Sequence, residues 1–210
     1  MKLVVCCGMP RAGSHLQWQI VEDIVHLVEP KAPSREGIRK CGPLLKQERP
    51  GYAVVKIHRY WPQTLPFHPK VITCCRDPRG LAASRMHLGW SIEQVLHELP
   101  KWIEYFDQWT AVPGALAMRY ESMIKSLDRT ALHIARWLDI PLSKEQVQEV
   151  ATGSALSRHR VHHVHRVPGH AGITHSSWEK DLTKEQQDAV VWTAREFMLR
   201  TGYLKEGQTA

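Results

Sequence analysis

The sequence lacks several features that would assign a protein to a class at once. No hydrophobic run reaches the ~18 residues that a membrane-spanning helix requires. The apolar run at residues 3–7 is too short for the hydrophobic region of a signal peptide. No low-complexity tract, internal repeat or domain linker is recognisable. These absences argue against a membrane partner and predict a cytoplasmic protein with a single domain, residues 1–210.

Metal-binding and disulfide patterns are also missing. The sequence has five cysteines, an odd number, and none of them are spaced as C-x-x-C. Because four of the five form adjacent pairs within apolar runs, we expect reduced, buried thiols and no metal site. Acidic residues are fewer than basic ones, 21 against 28, which gives a formal net charge of +7. This excess favours an acidic partner, such as nucleic acid, a nucleotide or a sulfated or phosphorylated small molecule.

The start of the chain contains a glycine-framed turn without the lysine of a nucleotide-hydrolysing loop. Gly8 and Gly13 are spaced as in a Walker A motif, but Ser14 stands at the position of its lysine and His15 at that of its magnesium-binding hydroxyl. The backbone N–H groups of such a turn and the following helix N-terminus suit an anion, and Arg11 adds a guanidinium. The pattern predicts a P-loop-like turn that binds phosphate without a metal, although by itself it is also typical of an ordinary Gly-Pro turn.

Apolar periodicity predicts an α/β fold with a three-layer parallel sheet. Short apolar runs bounded by Gly and Pro indicate buried strands at residues 2–7, 52–56, 70–75 and 115–120. Helical patterns and caps indicate helices at residues 14–28, 78–88, 91–109 with a kink or a split at Pro100, and 121–138, then a short helix from Ser143 and a long one from Thr183. We expect an irregular connection at residues 29–50, with room for one short helix, and a loop at 153–177. We also expect the tryptophans at 102, 109, 137 and 192 to lie in the core.

Polar and cationic residues follow the ends of the predicted strands. Lys56 and His58 end the second strand, and Arg76 follows the third. Ser84 lies eight residues after Arg76, within the next predicted helix. Because the carboxyl ends of parallel strands meet at one sheet edge, these groups and the glycine turn are expected to converge there.

In these segments the sequence resembles the sulfotransferases that use 3′-phosphoadenosine 5′-phosphosulfate (PAPS). Pro-Arg-Ala-Gly-Ser at 10–14 is similar to the family's 5′-phosphosulfate loop, and the segment from Arg76 to Ser84 to its 3′-phosphate motif. Lys56-x-His58 is similar to the family's catalytic Lys-Thr-His. Further similarities are found at residues 119–121 and 178–183. The matches occur in family order over most of the chain.

The resemblance implies a role for each matching residue. His58 would be the general base, with Lys56 near the sulfuryl oxygens and Arg11 beside them. The remaining cofactor contacts would come from Ala12, Gly13, Ser14 and His15 at the phosphosulfate, Arg76 and Ser84 at the 3′-phosphate, Tyr120 at adenine, and Arg166 with Gly169 or Gly172 closing over the 3′-phosphate. Leu16 stands where the family has tryptophan, so Trp18 or another aromatic residue would have to stack on adenine.

The predicted function is therefore transfer of a sulfuryl group from PAPS to a hydroxyl or amine of a small-molecule or glycan acceptor. Two alternatives remain open: a nucleotide kinase, opposed by the missing Walker lysine, and a non-catalytic nucleotide or nucleic-acid binder that uses the +7 charge. Lys56-x-His58 favours the enzyme, because a binder needs no base, and we do not expect nucleic acid as the partner. The His-rich run at 159–166 is interpreted as a basic lid over an anion.

Overall fold

A computed structural model describes residues 1–47, 50–164 and 177–207, with the side chains of 155–164 excepted. The strands are β1 (Lys2–Cys6), β2 (Ser34–Glu36), β3 (Tyr52–Lys56), β4 (Lys70–Cys75) and β5 (Leu116–Arg119). The α-helices are α1 (Ser14–Val28), α2 (Ile38–Leu45), α3 (Pro78–Met86), α4 (Ile92–Thr110), α5 (Tyr120–Lys125), α6 (Leu127–Leu138), α7 (Lys144–Val164), α8 (Trp178–Asp181) and α9 (Lys184–Arg200). A 3₁₀ turn spans Pro62–Phe67.

The five strands form one parallel sheet in the order β2-β3-β1-β4-β5. Alternate residues of the central strands pack on opposite faces, as the side-chain period of a strand requires. Val4 and Cys6 face a core shared with α1 and α6, whereas Leu3 and Val5 face a core shared with α2 and Trp109. The three-layer parallel α/β architecture predicted from the sequence is confirmed. All five cysteines are buried and free, as predicted.

Glycine is required where β1 ends. Gly8 has φ +137°, and a Cβ there would lie 2.6 Å from Cys74 Sγ and 2.7 Å from the Cys74 carbonyl oxygen. Only a residue without a side chain allows the chain to leave β1 this close to β4. The turn that follows therefore begins at the carboxyl end of β1, a central strand, close to β4.

The connection at residues 29–50 is more regular than predicted. It contains the edge strand β2, which pairs with β3 through Ser34 and Val54, and the helix α2. β2 has only three residues, Ser-Arg-Glu, and lies at the edge of the sheet. It therefore lacks the alternation of apolar and polar residues by which strands are recognised, and sequence periodicity did not predict it.

One predicted helix is divided in two. The apolar stripe at 121–138 forms α5 and α6, which meet at Ser126; this residue has extended backbone angles and accepts a hydrogen bond from Thr130 Oγ1 at 2.8 Å. The helix predicted at 91–109 is confirmed as α4, which is not split at Pro100, because buried residues on both sides, Leu99 and Trp102, keep the same face against the core.

The predicted short helix from Ser143 is instead long. It extends to Val164, so the predicted loop at 153–177 was wrong as far as residue 164, and residues 165–176 lie outside the described chain. Trp102 and Trp109 are buried as predicted, and Trp137 is partly buried. Trp192 is 82% exposed, so its assignment to the core was wrong: the stripe of α9 that packs inward contains its neighbours Val190, Val191 and Ala194.

Among the described residues, no helix is long and apolar enough to cross a membrane.

Candidate active site

The turn between β1 and α1 places backbone N–H groups at the carboxyl edge of the sheet. Gly13 is the N-cap residue of α1, with φ +85° and no side-chain capping hydrogen bond, so the helix begins at Ser14 with N–H groups that have no acceptor within the helix. A Cβ at Gly13 would lie 2.6 Å from Tyr120 Cδ2. Within the turn, the Ala12 N–H donates to the Met9 carbonyl at 3.1 Å. The turn has the shape and polarity of an anion cradle, as predicted.

Arg11 and Arg76 meet beside this turn. Arg11 has φ +67°, a left-handed conformation uncommon for a residue with a side chain, and its Nε donates to Ser84 Oγ at 3.1 Å. Arg76 Nη1 donates to the Arg11 carbonyl at 3.3 Å. The glycine turn and the Arg76–Ser84 segment are therefore connected by a direct hydrogen bond between residues 65 positions apart in the chain.

Arg76 and Ser84, the two ends of the second motif, are almost completely buried. Arg76 is 8% exposed and Ser84 1% exposed. The Arg76 guanidinium lies 4.6 Å from the centroid of the Tyr120 ring, and a Cβ at Gly80 would lie 3.0 Å from its Nε. Burial and then the charge of Arg76 lower the pKa of Arg11. Two like charges held together at low exposure create a site that an anion would stabilise.

Lys56 ends β3 with its ammonium inside a polar cluster. Its side chain is 6% exposed, and Nζ pairs with Glu36 Oε1 and lies 3.4 Å from His15 Nδ1 and 5.5 Å from the Trp18 ring centroid. Burial opposes ionisation of Glu36, but the hydrogen bond and charge of Lys56 outweigh it and lower the pKa of that carboxyl. Glu36 thus holds Lys56 in one position.

His58 is oriented by a backbone carbonyl. Its Nδ1 lies 3.1 Å from the Gly8 carbonyl oxygen. Since a carbonyl can only accept, Nδ1 carries the proton, and in the neutral ring Nε2 keeps a free lone pair. Burial and then the nearby charges of Lys56 and Arg85 lower the pKa of His58, against the opposite effect of the Gly8 hydrogen bond. The ring is therefore a neutral proton acceptor at pH 7.

The structure brings most of the predicted residues to one sheet edge. They are Arg11, Ala12, Gly13, Ser14, His15, Lys56, His58, Arg76, Ser84 and Tyr120. Arg166, Gly169 and Gly172 lie outside the described residues. Beside Arg76 and Tyr120 is a polar pocket of about 410 Å³, whose remaining walls are Asp77, Gly80, Arg119, Glu121, Ile124, Trp178, Glu179, Gly202 and Tyr203.

Sequence reasoning missed two charged residues at this edge. Glu36 was not recognised because β2 was not predicted. Arg85 follows Ser84 on α3, and its charge acts on His58. In the sequence, Arg85 is marked only by its place directly after the Arg76–Ser84 motif. The motif does not determine the direction in which the next side chain points.

Comparisons with solved structures identify the fold. Mouse sulfotransferase SULT7A1 in complex with 3′-phosphoadenosine 5′-phosphate (PAP) matches with a TM-score of 0.72 and 15% identity, over 96% of this chain and 85% of that chain. Retinol dehydratase in complex with androsterone and the inactive cofactor PAP matches with a TM-score of 0.72 and 14% identity, over 99% and 84%. Sulfotransferase STF9 from Mycobacterium avium matches with a TM-score of 0.55 and 11% identity, over 94% and 76%.

Sequence comparisons find nothing equivalent. No family model matches the chain, and no curated protein matches it. At these identities the structural likeness establishes the fold, which is the sulfotransferase fold.

Proposed function

We propose that this protein is a sulfotransferase that moves a sulfuryl group from PAPS to a hydroxyl or amine of a small-molecule or glycan acceptor. One observation carries the proposal: the hydrogen-bonded group of Ser84, Arg11 and Arg76, in which Arg11 contacts the other two, lies with His58 at the same edge of a sheet with the sulfotransferase fold. The two arginines suit a nucleotide with more than one phosphate, and His58 suits removal of a proton from an acceptor.

The described residues fit the cofactor. Gly13 lets the Tyr120 ring pack against the start of α1, and the N–H groups at that helix N-terminus, with Arg11, would hold the 5′-phosphosulfate. Arg76 and Ser84 would hold the 3′-phosphate, and Tyr120 would contact adenine. When bound, PAPS supplies the sulfuryl group, and the electron pair of the broken S–O bond leaves on the 5′-phosphate of PAP. Its negative charge would offset the repulsion between Arg11 and Arg76.

His58 would remove the acceptor proton. Its Nδ1–H is held by the Gly8 carbonyl, so Nε2 would accept the proton while the acceptor oxygen or nitrogen forms its bond to sulfur. The lowered pKa keeps the ring neutral at pH 7, the protonation state that a base requires.

Fixed positive charges would replace a metal at this site. Lys56 is held by Glu36 beside His15, and Arg11 by Ser84, so both are in place before a ligand binds. Preorganised cations and N–H groups stabilise the charge that develops on the transferring group and the leaving oxygen without further rearrangement. A nucleotide kinase is not favoured, because Ser14 and His15 stand where its lysine and magnesium-binding hydroxyl would be. We propose a single-domain, cytoplasmic enzyme with no nucleic-acid or membrane partner.

A ligand comparison tests the proposal. Thermal unfolding would be followed with PAP, ADP and ATP, each with and without magnesium. We expect PAP to stabilise most and EDTA to have no effect, since a ligand at 100 times its Kd adds about 2.7 kcal/mol. Equal stabilisation by PAP and ADP, or a strict requirement for magnesium, would contradict it. Transfer of label from PAPS to an acceptor panel then separates an enzyme from a binder.

A further inference from the structure

The guanidinium of Arg85 lies against two aromatic rings, those of Trp90 and Trp102. Its guanidinium carbon lies 4.4 Å from the centroid of the Trp90 ring and 5.0 Å from that of Trp102. The two indoles are themselves 5.9 Å apart. A guanidinium that contacts aromatic rings keeps its N–H donors available for hydrogen bonds in its own plane.

The described part of the chain does not satisfy all the donors of Arg85. Its Nε is buried and has no hydrogen-bond partner among the described residues. Burial and then the charge of Arg11 lower the pKa of Arg85, and Glu98 acts in the opposite direction without forming a salt bridge to it among those residues. Buried polar groups are nearly always paired, so this unpaired N–H suits an acceptor that the described residues do not supply.

Arg85 contacts a different part of the protein from Ser84 and Arg76, although the charge of Arg11 acts on it. Ser84 faces Arg11, and the next residue on α3 is turned about 100° around the helix axis. Arg85 thereby reaches Trp102 on α4 and Trp90 before it, whereas Arg76 contacts Tyr120 on the other side. Its charge also acts on His58, where it contributes to the lowered pKa. This is the region in which an acceptor, rather than the nucleotide, would lie.

We infer that Arg85 binds an anionic group of the acceptor, a carboxylate or a phosphate or sulfate oxygen, and so makes the enzyme selective for negatively charged acceptors. The inference rests on the proposed sulfotransferase function. A planar guanidinium donates two parallel hydrogen bonds to a carboxylate, and a stacked, preoriented one loses little freedom on binding. Trp90, which is only partly buried, would contact the acceptor carbon skeleton next to the charged group.

Binding of a charge series to PAP-saturated protein tests this inference. The probes are 4-hydroxyphenylacetate, 4-hydroxyphenylacetamide and tyramine, which share the phenol and differ in charge, measured by calorimetry. A second pair, 4-nitrophenyl glucuronide and 4-nitrophenyl glucoside, extends the series to sugars. In at least one series the anion should bind at least about tenfold more tightly than the neutral probe. Arg85→Met should remove that preference, and Arg85→Lys should restore part of it.

The controls separate the outcomes. Arg136→Met, which removes one exposed positive charge on α6, should keep the preference. PAP affinity of Arg85→Met should stay within a few fold of the parent. Absence of any preference for the anion in both series would overturn the inference, as would a preference that survives in Arg85→Met. A large loss of PAP affinity would assign Arg85 to the nucleotide instead, and failure of the parent to bind PAP would overturn the proposed function itself.

Discussion

The two sides of the candidate site are constructed differently. On the nucleotide side, backbone and side chains satisfy one another: Arg11 donates to Ser84, Arg76 donates to the Arg11 carbonyl, and His58 donates to the Gly8 carbonyl. On the other side, Arg85 lies against Trp90 and Trp102 with a buried Nε that has no partner among the described residues. The side chains of the nucleotide side are thus hydrogen-bonded to the protein before a ligand arrives, whereas Arg85 Nε is not.

This difference suits the two ligands of the proposed reaction. The same nucleotide is bound in every catalytic cycle, so it can be recognised by a fixed turn and a helix N-terminus, whose geometry depends on backbone conformation. An acceptor is recognised by individual side chains on neighbouring helices, whose orientation is set by packing. Substitutions on the two sides should therefore affect different ligands, in separable ways.

The largest expected effect is on catalysis alone. His58→Ala should lower the rate of sulfuryl transfer by about 10²- to 10⁴-fold, the usual contribution of a general base, while PAP affinity stays within a few fold. The reason is that Nδ1 of His58 is hydrogen-bonded to the Gly8 carbonyl, whereas Nε2 would be directed to the acceptor. Transfer from labelled PAPS and calorimetry with PAP measure the two quantities.

His133→Ala is the matched control, because His133 is exposed on α6. It should leave both quantities unchanged. If His58→Ala keeps full turnover, His58 is not the base. If it loses thermal stability and PAP affinity together, the ring has a structural role in holding the Gly8 turn.

The next effect is on nucleotide binding. Arg76→Ala should weaken PAP binding by about 1.5–3 kcal/mol, the cost of losing hydrogen bonds to a charged group. Because we assign Arg76 to the 3′-phosphate, the same substitution should change the affinity for AMP, which lacks that phosphate, much less. Calorimetry with both nucleotides gives the comparison.

Arg136→Ala controls for the loss of one positive charge far from the site. Equal losses for PAP and AMP in Arg76→Ala would show that Arg76 acts through the Arg11 carbonyl, and an unchanged affinity for PAP would remove it from the site.

The two sides also differ in how far the sequence predicts them. Ser84 and Arg76 belong to a short segment with fixed spacing, and Gly8 and Gly13 are required by backbone conformation, so local sequence carried the signal. Glu36 and Arg85 have no such signal. Glu36 lies on an exposed edge strand that pairs with a segment 20 residues later, and the environment of Arg85 depends on how α4 packs against α3. Packing of this kind is a long-range property that periodicity does not encode.

A third substitution tests the rigidity of the nucleotide side. Gly13→Ala should destabilise the protein, because a left-handed conformation costs a residue with a side chain about 1–2 kcal/mol and its Cβ would lie 2.6 Å from Tyr120 Cδ2. Gly114→Ala is the control for backbone strain alone, since Gly114 has φ +76° and a Cβ added there would meet no described atom within 4 Å. Denaturant unfolding should show a greater loss for Gly13→Ala, and equal losses would mean that Tyr120 moves aside without cost.

The smallest effect is electrostatic and connects the two sides. In the free protein the pKa of His58 should lie below its ordinary value of 6.5, first because of burial and then because of Lys56 and Arg85. The unfolded chain then takes up the proton first as the pH falls, so the stability contributed by neutral His58 is present above about pH 6.5 and decreases as the pH falls toward the folded pKa. The titration can be followed by NMR, with the His58→Asn spectrum identifying the resonance. Arg85→Met should raise the midpoint by removing one positive charge, and Arg136→Met should not. A midpoint at or above 6.5 in the parent protein, or one unchanged by Arg85→Met, would contradict the placement of Arg85 beside the base.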